Sequence, residues 1–98
     1  MTTPAEHCAE VAKIRRSYFD GDLLTAMPRA GRKRQLALEQ IVQHFEPGVK
    51  YTELEVNAVL RQIWPQDVAA LRRYLVEALL LDREAGEYWR IGGAVDTR

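Results

Sequence analysis

The most restrictive feature of the sequence is Trp64-Pro65, because an apolar helical stripe abuts it on either side. Upstream, Val56, Val59, Leu60 and Ile63 recur at the three-and-four spacing of one buried helix face; downstream, Val68, Leu71, Leu75 and Leu79 do the same. Proline cannot continue the first helix, so the chain must turn there and start the second at Pro65 or Asp67. Two amphipathic helices joined by so short a corner form a helix-turn-helix, whose second helix is the one usually presented to a partner.

The flanking residues extend this unit in both directions. Thr52 is placed to cap the upstream helix, Glu55 to complete a capping box, and Tyr51 to staple onto Val56. Before them, a helix over 33–45 carries Leu38, Ile41, Val42 and Phe45 on one face and Gln35, Glu39, Gln40 and Gln43 away from it. Glu46-Pro47-Gly48 ends that helix, and Val49 to Thr52 reads as a short strand. After the second stripe, Leu81 to Arg83 and Tyr88 to Ile91 flank a polar turn containing Gly86, which predicts a β-hairpin. Within it, Trp89 and Ile91 share one face and Tyr88 and Arg90 the other, one of the two packing on the domain.

The N-terminal part is simpler. Thr3 as N-cap, Pro4 at the first helical position and Glu6 closing a capping box start a helix over 3–19, whose buried face is Cys8, Val11, Ile14 and Tyr18. Asp20-Gly21-Asp22 stops it, and 20–32 reads as an extended connector laying Leu23, Leu24 and Met27 on the body of the domain. The expected architecture is therefore mostly α (α+β): a single winged-helix-like domain over 1–98, with a core at 33–91, an additional N-terminal helix and a fraying tail at 92–98.

Composition excludes several function classes. The 98 residues suit one domain with one core. A single cysteine, Cys8, excludes an internal disulfide framework and fits a reducing compartment, and no apolar run reaches membrane-spanning length. The opening MTTPAEH lacks the basic and apolar regions of a secretory leader, so a cytoplasmic location without membrane association is expected. Neighbouring His7 and Cys8 point about 100° apart on a helix, and His44 lies far along the chain, so no metal site is expected. No serine elbow, phosphate loop or dinucleotide fingerprint is present, and the expectation is a non-enzyme without a cofactor. Tyr51, Trp64, Tyr74, Tyr88 and Trp89 fall at element junctions and read as core packing rather than as a stacking platform.

Charge distribution supplies the remaining clue. Fourteen Lys and Arg balance fourteen Asp and Glu, so net charge argues for no nucleic acid. Arg29, Arg32, Lys33 and Arg34, however, place four cations in six residues near a helix start, where they oppose the macrodipole. They are either a solvated loop or a phosphate-contacting arm. Along the final helix Arg73 falls opposite the apolar stripe, as a partner contact, whereas Arg72 flanks it, laying its stem over the core and pairing with a nearby carboxylate or carbonyl. From Asp67 to Ile91 the arginines 72, 73, 83 and 90 face Asp67, Glu77, Asp82, Glu84 and Glu87, a net of minus one. The candidate DNA-binding residues are thus Arg29, Arg32, Lys33, Arg34 and Arg73.

The runs Phe19-Asp20-Gly21, Leu24, Pro28, Arg32 to Arg34, FEPGVKYTELEVN, Asp67, LRRYLVE, LLDRE and YWR resemble an uncharacterised bacterial family, domain of unknown function 2087, over about Tyr18 to Arg90. In that family the domain stands alone or behind a helix-turn-helix domain of the arsenical-repressor type, so the resemblance implies a link to transcription control without assigning an activity. Residues Met1 to Ser17 lie outside the matched motifs. The expected function is transcription-linked, weak or dimer-dependent binding of double-stranded DNA. The alternative is a protein-interaction or homodimerisation module that kept the architecture and lost the DNA contact.

Overall fold

The computed structural model describes residues 4–91 and is an α+β domain of four helices and two small sheets. The elements are α1 (Pro4–Tyr18), β1 (Phe19–Asp20), β2 (Leu23–Leu24), α2 (Arg32–Val42), β3 (Lys50–Thr52), α3 (Glu53–Ile63), α4 (Val68–Glu77), β4 (Leu81–Glu84) and β5 (Glu87–Arg90). The Thr3 cap and the tail at 92–98 lie outside the described residues.

The α3–α4 unit forms where the two stripes abut. Thr52 Oγ1 accepts from Glu55 N at 3.1 Å while Glu55 Oε1 accepts from Thr52 N at 2.8 Å, closing the capping box in both directions. Val56, Leu60 and Ile63 are buried beneath it, and Val59 is half-buried. Asp67 is the N-cap of α4, its carboxylate accepting from Ala70 N at 3.0 Å, so the helix begins at Val68 rather than at Asp67 or Pro65. The Tyr51 ring, expected on Val56, packs edge-on against Phe45 at 5.1 Å, within the cluster that also holds Val56. Its hydroxyl accepts from Glu46 N at 2.8 Å and pins the turn between α2 and β3.

The end of α4 departs from the extrapolated stripe. The helix stops at Glu77, Ala78 is the C-cap, and Leu79 takes a left-handed conformation at φ 61° with its side chain 73% exposed instead of buried. Leu80 N donates to Leu75 O and Leu79 N to Val76 O, each at 3.0 Å, which is the Schellman arrangement with leucine where glycine is usual. This reversal swings the chain into β4, so Leu81 enters the core in place of Leu79.

The second sheet has strand order β3-β5-β4, antiparallel throughout, so the hairpin is joined by a third strand from the α2–α3 link. Ala85 and Gly86, at φ 54° and 82°, make the two-residue type I′ turn that matches strand twist. The face carrying Tyr88 and Arg90 turns inward: Tyr88 is buried, whereas Trp89 is half-buried on the outer face under Lys50, whose Nζ lies 5.3 Å from the ring centroid.

The N-terminal segment and its contact with α2 bring four corrections. The expected connector at 20–32 begins with a two-stranded sheet, Phe19 paired with Leu24 and Asp20 with Leu23, turning at Gly21-Asp22. Leu24 is buried by it but Leu23 remains exposed. Cys8 is exposed, and the apolar contact of α1 with α2 lies nearer the helix C-terminus: Ile14 packs with Leu36 and Ala37 in a second, smaller cluster. Gln40, assigned to the outer face of α2, is buried, and its Oε1 accepts from Arg15 Nη2 of α1 at 3.5 Å. The helix α2 is therefore covered on two sides, its Leu38, Ile41 and Val42 belonging to the main core.

Candidate nucleic-acid interface

The cations of 29–34 part company in three directions. Gly31, with φ 129°, caps α2 without a side-chain hydrogen bond, and no acid occupies the first turn to offset Arg32 and Lys33. Compensation comes from α1 instead. Arg32 donates to both oxygens of Glu10, at 2.9 and 2.6 Å, a bidentate pair that holds the Glu10 carboxyl below its ordinary pKa and raises that of the guanidinium. Arg34 turns the other way, its Nε donating to Pro28 O at 2.9 Å and its guanidinium lying 4.4 Å from the Tyr74 ring centroid. Arg29 and Lys33 are exposed.

Tyr74 links this region to α4. Arg73 lies 5.5 Å from the same ring, with its Nε 3.9 Å from Glu77 one turn on. Of the cluster, then, Arg34 is brought beside Arg73, and Arg32 is committed to α1. Arg72 is structural as expected: Nη1 donates to Asn57 Oδ1 and Nη2 sits 4.0 Å from Glu53, tying α4 to α3.

A second group of arginines, not evident from the sequence, gathers on the other side of α4. The period of two along β4 puts Leu81 and Arg83 on the inner face of the sheet and Asp82 on the outer one. Arg83 thereby faces α4 across a cleft of about 400 Å³, lined also by Arg72, Arg73, Ala69, Val76, Glu77 and Tyr88. The buried Tyr88 hydroxyl donates to Glu53 Oε1 at 3.2 Å and accepts from Arg83 Nη1 at 3.5 Å, and that hydrogen bond raises the Arg83 pKa. A smaller depression of about 180 Å³ between the start of α2 and the end of α4 is lined by Arg34, Tyr74 and Glu77 among others. Glu77 borders both, so the depression holding Arg34 adjoins the cleft lined by Arg72, Arg73 and Arg83.

The negative count over 67–91 concealed this because it averaged two faces of a sheet. Asp82, Glu87 and Lys50 belong to the outer face, where Lys50 Nζ lies 3.6 Å from Glu87, whereas three arginines and one acid, Glu77, line the inner cleft. The alternation of β4 was the available signal for Arg83. Among the described residues no three His, Cys, Asp or Glu side chains group as metal ligands, and no helix is long and apolar enough to cross a membrane.

The chain is a small α+β domain of four helices, a two-stranded and a three-stranded sheet, and an arginine-lined cleft. Residues 23–90 match the family DUF2087, uncharacterised protein conserved in bacteria, and the chain belongs to that family. The match begins after α1, so the Glu10–Arg32 clamp joins the matched region to a helix outside it. Comparison with curated proteins and with solved structures returned no match.

Proposed function

We propose that this domain is a winged-helix-like module linked to transcription that binds duplex DNA weakly through the exposed side of α4 and the β4–β5 hairpin. The order helix, strand, helix, helix, hairpin, with the first strand pairing to the last, supports the winged-helix reading. The observation that carries the DNA contact is that Arg73 and Arg83 line one cleft between α4 and the hairpin, with Arg34 beside Tyr74 next to it. Guanidiniums in that position suit phosphate oxygens, which fix a protein on a duplex without reading its sequence. Arg32 is left out of the contact, because Glu10 already takes two of its hydrogen bonds.

Fluorescence anisotropy of a labelled duplex across a salt series tests the reading. Each phosphate contact contributes a slope of about −0.9 in log affinity against log salt, so Arg73→Ala and Arg83→Ala should each flatten the line by about one. Arg32→Ala should leave it unchanged. Absence of duplex binding at low salt, or slopes indifferent to Arg73 and Arg83, would refute the proposal.

A further inference from the structure

We propose that the cleft between α4 and the β4–β5 hairpin binds a small phosphate monoester that carries hydroxyl groups, a ligand of nucleotide or sugar-phosphate chemistry. This rests on the reading of the cleft as a phosphate contact and adds a discrete occupant to it. The first argument is shape. A duplex backbone lies across a surface and requires no pocket, whereas this half-open cleft of about 400 Å³ has the volume of small-molecule sites, roughly 300–1,000 Å³.

The second argument is unspent hydrogen-bonding capacity. Arg32 shows what a satisfied guanidinium looks like in this chain, with a carboxylate gripped at 2.9 and 2.6 Å. In the cleft Arg73 meets Glu77 only at 3.9 Å, Arg83 reaches the Tyr88 hydroxyl at 3.5 Å, and Arg72 uses Nη1 on Asn57 while standing 4.0 Å from Glu53. Most of their N–H groups remain for an incoming anion. A phosphate monoester supplies enough oxygens to engage more than one guanidinium at once.

The third argument selects among anions. Glu77 lines the same cleft and repels a bare anion, but its carboxylate accepts hydrogen bonds from sugar hydroxyls. Ala69, Val76 and the ring of Tyr88 offer apolar surface to the body of such a ligand. The phosphate faces the guanidiniums and the hydroxyls face Glu77.

The test is a heteronuclear NMR titration of the full chain, at constant ionic strength, with adenosine 5′-monophosphate, adenosine and inorganic phosphate, beside the duplex anisotropy assay. The monophosphate should shift the Nε–H resonances of Arg72, Arg73 and Arg83, phosphate should do so more weakly, and adenosine should not. Arg83→Ala, an exposed change on an edge strand, should weaken the monophosphate about tenfold, and Glu77→Gln should narrow its advantage over phosphate. No localised shift with the monophosphate, or equal response to phosphate with Glu77→Gln silent, overturns the inference. Duplex binding without a monophosphate response also overturns it while leaving the DNA reading in place. A monophosphate response without duplex binding supports it and removes the DNA reading, and displacement of the duplex by the monophosphate supports it by placing both on the same arginines.

Discussion

Leu79 offers the sharpest test of how α4 hands over to the hairpin. A leucine at φ 61° pays about 1–2 kcal/mol for the clash of its Cβ with the backbone, which glycine avoids. Against that relief, glycine loses roughly 0.5–1 kcal/mol more backbone freedom on folding than alanine does. Since the side chain is 73% exposed, its removal forfeits only about a quarter of a buried leucine's worth, on the order of 0.5 kcal/mol. Leu79→Ala should therefore be destabilising by about 0.5 kcal/mol, because it surrenders the contact and keeps the clash. Leu79→Gly should exceed Leu79→Ala by about 0.5–1 kcal/mol, the reverse of their order inside a helix. Urea unfolding of both variants measures this as a difference of about 0.5 M in midpoint with unchanged slope. If the alanine variant is the more stable, the helix does not end in the left-handed reversal described above.

Three further outcomes are expected. Thr52→Ala should lower stability by about 1 kcal/mol in urea unfolding, and Glu55→Gln by less, since glutamine retains the reciprocal bond to the Thr52 amide. Leu60→Ala, at a fully buried site of α3, should cost about 2–5 kcal/mol by the same assay. The Glu10 carboxyl is held below its ordinary pKa chiefly by the hydrogen bonds from Arg32, so its contribution is present above the ordinary carboxylate range and is lost as pH falls through the depressed value. Glu10→Gln should remove that part of the acid dependence, as read by unfolding curves taken from neutral to acidic pH, and Arg32→Ala should remove the same part.

What was legible in the sequence was local and repetitive. The Thr52–Glu55 box lies within one turn of chain, and the stripes of α2 and α3 repeat often enough to mark Leu38, Ile41, Val56 and Leu60 as core. Where the reading failed, the deciding partner was remote or the repeat had already ended. Gln40 is buried because Arg15 reaches it from α1. Leu79 was assigned by extending the helical period past the last residue that obeys it. The β1–β2 pair has too few residues on each side of Gly21-Asp22 to show alternation. For the candidate site, Arg73 and Arg34 are nominated by exposure and local charge, and the structure sets them near one ring. Arg83 was missed because a summed charge carries no information about which side of a sheet each residue takes.

The central position of β5 has a kinetic consequence for whatever enters the cleft. Because β5 is bonded to β4 on one edge and to β3 on the other, and β3 runs directly into the capped start of α3, the hairpin is no free flap. Opening that wall would break a ladder and loosen a helix together, so the two sides keep their spacing whether or not a ligand is present. Association should then follow a single exponential whose rate rises linearly with ligand concentration, limited by encounter and by the charge of the arginines.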